Sequence, residues 1–272
     1  AGEVAGFTRA ARAGLADWQG VGAALDWPSY AAGRSRGLPW FLLSAKLVAQ
    51  AGYPVLLHGW NSHQNAIADV REGARALSIP IAGRPDCAAT ALARGGIAYV
   101  PLEAMAPRIL AMLRLRDVLG LRSCVNTVCR MLNPAAAPTM VQGVFHPSYR
   151  ALQQDAGALL GQRGLMVLKG AGGEFERHPG KAVALYGLAG GATFDITAPA
   201  VQATQRRLAD TEAERWHLSA LWHGERADPW AEDIVIGTAA AAFLALNAAP
   251  SIAAADAIAR DLWTERLGRI AA

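Results

Sequence analysis

Residues Arg116–Ala135, RDVLGLRSCVNTVCRMLNPA, decide how this chain is read. From Pro107 to Asn133 the apolar spacing is helical, and Arg114, Arg116 and Arg122 recur every helical turn or two. Arginines in that pattern form either a surface laced with ion pairs or one wall of a cleft for an anion. Cys124 and Cys129 sit in an apolar stretch without C-x-x-C or Cys/His spacing, which suits packed free thiols and not zinc.

On the C-terminal side, Met140–Phe145 reads as a strand, Tyr149–Leu160 as a helix and Leu165–Lys169 (LMVLK) as a buried strand. A Gly-rich turn, Gly170–Glu174, follows, and Ala182–Tyr186 reads as an edge strand. Beyond Val201 the pattern is mostly helical, with Ile234–Leu246 apolar enough for a buried helix. On the N-terminal side, Glu3–Leu15 reads as a helix, Asp17–Gly22 as a loop, and Pro28–Gly37 (PSYAAGRSRG) as turn-rich and basic. Trp40–Gln50 has helical spacing ended by Gly52, and Val55–Gly59 (VLLHG) is a short apolar run typical of a buried parallel strand. Ala66–Leu77 reads as a helix and Ala98–Pro101 as a strand. Strand and helix alternate without a repeat, so the expected fold class is α/β with a mostly parallel central sheet. Residues 1–31 with 107–137 are expected to form a small all-helical subdomain, and residues 32–106 with 138–272 a larger α/β subdomain.

Composition sets the bounds. The 272 residues are 53% hydrophobic and 18% charged, enough for one large core and a helical appendage. No run of about 18 uncharged apolar residues with membrane-type flanks appears, so no membrane partner is expected. An odd count of three cysteines and no secretory signal point to a reducing, cytoplasmic setting. The chain does not begin with Met, and Glu3–Ala13 already reads like the middle of a helical region, so we expect a further N-terminal segment outside this sequence. Residues 1–130 hold 14 Lys+Arg against 8 Asp+Glu, a balance of +6, whereas the remainder has 12 against 14, or −2. A positive half suits an anionic partner such as nucleic acid or phosphate. Arg outnumbers Lys 23 to 3, and scattered arginines are more often solvated surface.

The Arg116–Ala135 block resembles the anthranilate phosphoribosyltransferase segment R-x-x-L-x-x-R-[ST]-x-x-N-x-x-G-P-x-x-N-P-A, with Arg116, Leu119, Arg122, Ser123, Asn126, Asn133, Pro134 and Ala135 in register. Gln142-Gly143-Val144 with His146-Pro147-Ser148-Tyr149 is similar to the family's next strand and turn, and Leu165–Glu174 to its strand and G-G-x-D-E loop. The resemblance covers nearly the whole chain. It implies the glycosyltransferase family 3, class III phosphoribosyltransferase fold, akin to the nucleoside phosphorylase catalytic domain, and a homodimer through the helical subdomain.

Within that resemblance the groups needed for chemistry are missing. Transfer from phosphoribosyl pyrophosphate requires amides and hydroxyls for phosphate and carboxylates for Mg²⁺. The family's G-T-G-G-D turn is Gly33-Arg34-Ser35-Arg36-Gly37 here, its N-I-S-T cluster is Pro39-Trp40-Phe41-Leu42, and its K-H-G-N is Leu57-His58-Gly59-Trp60. The Asp-Glu metal pair becomes Gly173-Glu174, and the G-P turn becomes Cys129-Arg130. Pro28-Ser29-Tyr30, Val55–Gly59 and Gly173-Glu174-Phe175 bring the chain closer to the divergent YbiB-type branch, whose members bind nucleic acid as homodimers without the parent activity.

The resemblance therefore implies a catalytically degenerate protein that binds nucleic acid, single-stranded and sequence-tolerant, through a basic cleft lined by Arg34, Arg36, Arg116, Arg122 and Arg130. Gly33, Gly37, His58, Gly59 and Asn126 mark the former substrate cleft. Arg116 matches the arginine that meets anthranilate's carboxylate. No catalytic residue, cofactor or metal is expected, with Glu174 as a remnant metal ligand. Mg²⁺ would matter only for the alternative, an active glycosyl or phosphoribosyl transferase with an altered substrate. Trp27, Tyr30, Trp40 and Trp60 flank the basic loop and suit base stacking, although Trp40 reads as core.

Overall fold

The computed structural model describes residues 1–30, 37–60, 69–120, 123–203 and 214–271. Seven strands, β1 (Leu25–Ser29), β2 (Val55–Gly59), β3 (Ile97–Pro101), β4 (Thr139–Val144), β5 (Gly164–Lys169), β6 (Val183–Ala189) and β7 (Ala192–Ala198), form one sheet in the order β3-β2-β1-β4-β5-β6-β7. The first five are parallel, and β6 and β7 are antiparallel additions. The helices are α1 (Gly2–Ala13), α2 (Phe41–Gln50), α3 (Val70–Ala76), α4 (Pro85–Gly95), α5 (Leu102–Met105), α6 (Pro107–Leu119), α7 (Val125–Cys129), α8 (Tyr149–Leu159), α9 (Trp216–Trp222), α10 (Pro229–Ala245) and α11 (Ile252–Ala271).

The parallel strands are buried on both faces, as short apolar strands of this kind must be. On one face Leu25, Trp27, Val55, Leu57, Val141 and Met166 join α2, α9, α10 and α11 in the main core. On the other, Leu56, Ala98 and Val100 pack with residues from α4 to α7 and with Leu15 and Trp18. The helical part thus shares its core with the sheet. The apolar stretch within Pro229–Ala245 is a buried helix, and no helix among the described residues is long and apolar enough to cross a membrane.

Three sequence expectations need correction. Leu25–Ser29 is a strand at the centre of the sheet, inside the span read as helical. Its Pro28 is tolerated because β1 pairs with β4 only at Leu25 and Asp26, so the missing N–H falls beyond that ladder. Second, β6 is not the edge. Gly190 and Gly191, both at positive φ, turn the chain into β7, which covers it. Third, Cys129 is buried but Cys124 is exposed. Val4, Phe7 and Ala11 of α1 are partly buried and Leu15, just beyond the helix, is fully buried within one chain, where Phe7, Ala11 and Leu15 join the second core.

Candidate functional site

In an open parallel sheet the crevice lies where strand order reverses, outside the carboxyl ends of the strands. Here that point is between β1 and β4. The ends of β1, β2, β4 and β5 bring together Ser29, Tyr30, His58, Gly59, Phe145 and the Gly170–Glu174 turn. Close approach demands glycine at several of these positions. A Cβ at Gly59 would overlap the carbonyl of Ser29, and one at Gly143 or Gly170 would overlap the backbone of Glu174. Gly37, at φ 81°, adopts a backbone that other residues rarely take.

Glu174 is fully buried and accepts a hydrogen bond from Ser29 Oγ at 2.9 Å. His58 is also fully buried, with Tyr30 Oη 2.8 Å from its Nδ1 and Asp26 on the other side, Oδ1 3.2 Å from Nε2. Burial first, then nearby Cys129, raises the Tyr30 phenol well above its ordinary value, so it keeps its proton and donates to Nδ1. The Nε2 proton of His58 is thereby turned toward Asp26. This Asp26–His58–Tyr30 chain runs through the core and is closed to solvent.

Asn126 Nδ2 and Arg130 Nη2 both donate to the carbonyl of Tyr30, at 3.2 and 2.9 Å. Arg130 also bonds the carbonyl and side chain of Asn126. Arg130 is only 7% exposed, so its first task is to fix Tyr30 just beyond the end of β1. Arg116 lies elsewhere, on α6, with its Nε 4.0 Å from Asp117. Gly33, Arg34, Arg36 and Arg122 lie outside the described residues. Trp27, Tyr30, Trp40 and Trp60 are all buried, which removes them as stacking surfaces for a base.

One functional residue escapes the sequence reading. Glu176, fully buried, accepts a hydrogen bond from the backbone N–H of Phe41 at 3.1 Å. Phe41 opens α2, whose free amides and dipole would otherwise favour an external anion. Trp27, Phe41 and Phe175 pack around this point, with centroids 6.1 Å apart for Trp27–Phe41 and 5.4 Å for Trp27–Phe175. Nothing in the local pattern joins Glu176 to a helix 135 residues earlier. Among the described residues, no cluster of three or more His, Cys, Asp or Glu is arranged to hold a metal ion. Beside the crevice a cavity of about 200 Å³ opens between Asn126, Thr127 and Arg130 on one side and Phe145, His146, Tyr149 and Gln153 on the other.

No family model matches the chain. It is 32% identical to the anthranilate phosphoribosyltransferase of Verminephrobacter eiseniae (strain EF01-2) over 221 residues, covering 79% of this chain and 64% of that protein. The Burkholderia multivorans (strain ATCC 17616 / 249) enzyme of the same name is 29% identical with the same coverage. The chain thus spans a little under two thirds of these relatives' length. The fold matches anthranilate phosphoribosyltransferase from Thermus thermophilus with a TM-score of 0.78 at 24% identity, covering 98% of this chain and 82% of that one. It also matches the Saccharomyces cerevisiae anthranilate phosphoribosyltransferase in complex with PRPP and Mg, with a TM-score of 0.76 at 13% identity over 98% and 77% of the two chains.

Proposed function

We propose that this chain, which resembles the anthranilate phosphoribosyltransferases in sequence and shares their fold, has lost phosphoribosyl transfer and binds single-stranded nucleic acid with little sequence preference. The observation that carries this reading is Glu176 at the start of α2. A helix N-terminus that could hold a phosphate is taken by the chain's own carboxylate and walled by aromatic side chains. A phosphate there would have to displace that carboxyl group, and Pro39, Trp40, Phe41 and Leu42 offer no side-chain hydroxyl. The single carboxylate left from the metal pair, Glu174, is turned to Ser29 in the core.

Positive charge remains. Residues 1–130 carry +6, and Arg34 and Arg36 belong to the segment whose base Asn126 and Arg130 hold. By resemblance, Arg116 and Arg122 add positive charge within the Arg116–Ala135 block. Phosphate contacts from such residues give affinity without a base code.

Gel-shift titration of a single strand at several salt concentrations tests the reading. Affinity should fall with salt by a slope of about −0.7 per phosphate contact. Changing Arg34 and Arg36 together to Glu should weaken every sequence alike and flatten that slope. Calorimetry with phosphoribosyl pyrophosphate and Mg²⁺ should show no micromolar binding. Absence of strand binding at low salt, or pyrophosphate release with anthranilate, would instead favour an active transferase.

A further inference from the structure

The cavity beside Arg130 has two features that a sealed core would not keep. Its rim exposes large rings to water, with Phe145 46% and Tyr149 39% accessible. These rings are ordered about His146, Phe145 lying 4.8 Å from it edge-on and Tyr149 6.2 Å away. Its floor holds Gln153, only 1% exposed, whose amide nitrogen and oxygen both lack a hydrogen-bond partner. Gln153 lies one turn of α8 beyond Tyr149, so ring and amide share one helix face. A buried amide with no partner is costly, and replacing it by a carbon side chain of the same shape would be nearly neutral or better.

We propose that this cavity takes one unstacked nucleobase of a bound single strand, an inference that rests on the nucleic-acid reading above. A base supplies what both features lack. Its face stacks on Phe145 or Tyr149, as bases do on aromatic platforms. Its edge offers a donor and an acceptor side by side, which pair with the Gln153 amide. Glutamine makes that bidentate pair best with adenine. At about 200 Å³ the space is below the roughly 300–1,000 Å³ of sites for drug-sized ligands, and fits one ring system while sugar and phosphate stay outside. Arg130 in the wall favours an attached phosphate over a neutral ligand. An aromatic side chain of a protein partner could stack on the same rings but would leave the amide unmatched.

The test uses the whole chain and an oligothymidylate carrying one 2-aminopurine, an adenine analogue whose fluorescence falls on stacking. Saturation with the wild-type protein at low salt should quench it. Phe145→Ser with Tyr149→Ser, both at exposed positions, should abolish the quenching and weaken gel-shift affinity by about fivefold or more, the loss of one stacked base. Gln153→Leu should leave the melting temperature unchanged or raise it, yet reduce affinity for an oligothymidylate carrying one adenine more than for plain oligothymidylate. A lower melting temperature for Gln153→Leu, with both strands bound equally, would make Gln153 a structural residue and overturn the proposal. Strand binding without quenching would also overturn it while leaving the broader reading intact. If no strand binds at all, the nucleic-acid reading fails and this one with it.

Discussion

Ser29 Oγ donates to Glu174 Oε1 at 2.9 Å, although 145 residues separate the two and both are fully buried. The bond joins the end of β1 to the turn after β5, straddling β4 at the point where strand order reverses. The carboxylate that the sequence marks as a remnant metal ligand is thereby committed to holding the crevice together. Ser29→Ala removes the donor and leaves an acceptor buried, so stability should fall by about 1–3 kcal/mol. Urea unfolding monitored by circular dichroism gives the value, and an unchanged midpoint would show that Glu174 finds a substitute donor.

The glycines at this crevice should be far less tolerant than glycine elsewhere. Gly143→Ala and Gly170→Ala each drive a methyl into the backbone of Glu174, which cannot swing aside as a side chain could. We expect each to lose about 3 kcal/mol or more, at or above the upper end of ordinary overpacking. Gly6→Ala, in an exposed part of α1 with open space around it, should gain about 0.5–1 kcal/mol. Equal effects at the three positions, read from melting curves, would refute the role given to the close approach.

Lys46 gives a pH signature. Burial lowers its ammonium from 10.5 to about 8, while Nζ donates to the Leu77 carbonyl at 2.9 Å and lies over the Trp222 ring. Below pH 8 both folded and unfolded states hold the proton, and the folded state bears the full cost of the buried charge. Between about 8 and 10.5 the folded state sheds it first and binds fewer protons, so stability rises. Cys129, pushed up to about 12 by burial, acts in the opposite direction, so the comparison must be with Lys46→Met. Relative to that variant, the wild type should gain stability from pH 8 to 10.5. A flat difference would mean that Lys46 is better solvated than its surroundings imply.

Assembly can be tested at α6. Leu115, Val118 and Leu119 near its end are 50, 82 and 64% exposed, an apolar stripe on a helix otherwise rich in arginine. We expect a two-fold dimer through this helical part, with a dimer mass by light scattering at micromolar concentration. Val118→Glu with Leu119→Glu should give monomers without loss of fold. A wild-type monomer at that concentration would remove the expectation.

Much of this architecture is legible in local sequence. Val55–Gly59 and Leu165–Lys169 announce themselves because a strand buried on both faces must be continuously apolar. The core of α10 is equally plain from its alanines and aliphatic residues. Leu25–Ser29 is not, because Asp26, Pro28 and Ser29 are poor strand formers held in place by neighbours on both sides. The site is legible only as a set of replaced motifs. That Arg130 would turn inward to Tyr30, and that Glu176 would reach α2, depends on contacts between residues 100 and 135 apart. No local pattern encodes such distances.

The central place of β1 also governs how the chain can be made. Its partners are β2, soon after it, and β4, where Leu25 meets Thr139. During synthesis β1, β2 and β3 can associate as soon as they emerge, because short loops close cheaply. The seam with β4 joins residues more than a hundred apart, Leu25 to Thr139, and such non-local parallel pairing is slow. Until then the Leu25–Asp26 edge is an unpaired strand on a nascent chain, open to any other edge it meets. The crevice thus cannot form until β4 joins the β1–β3 half of the sheet, and a ribosome stalled before Thr139 would present a half-sheet prone to aggregate.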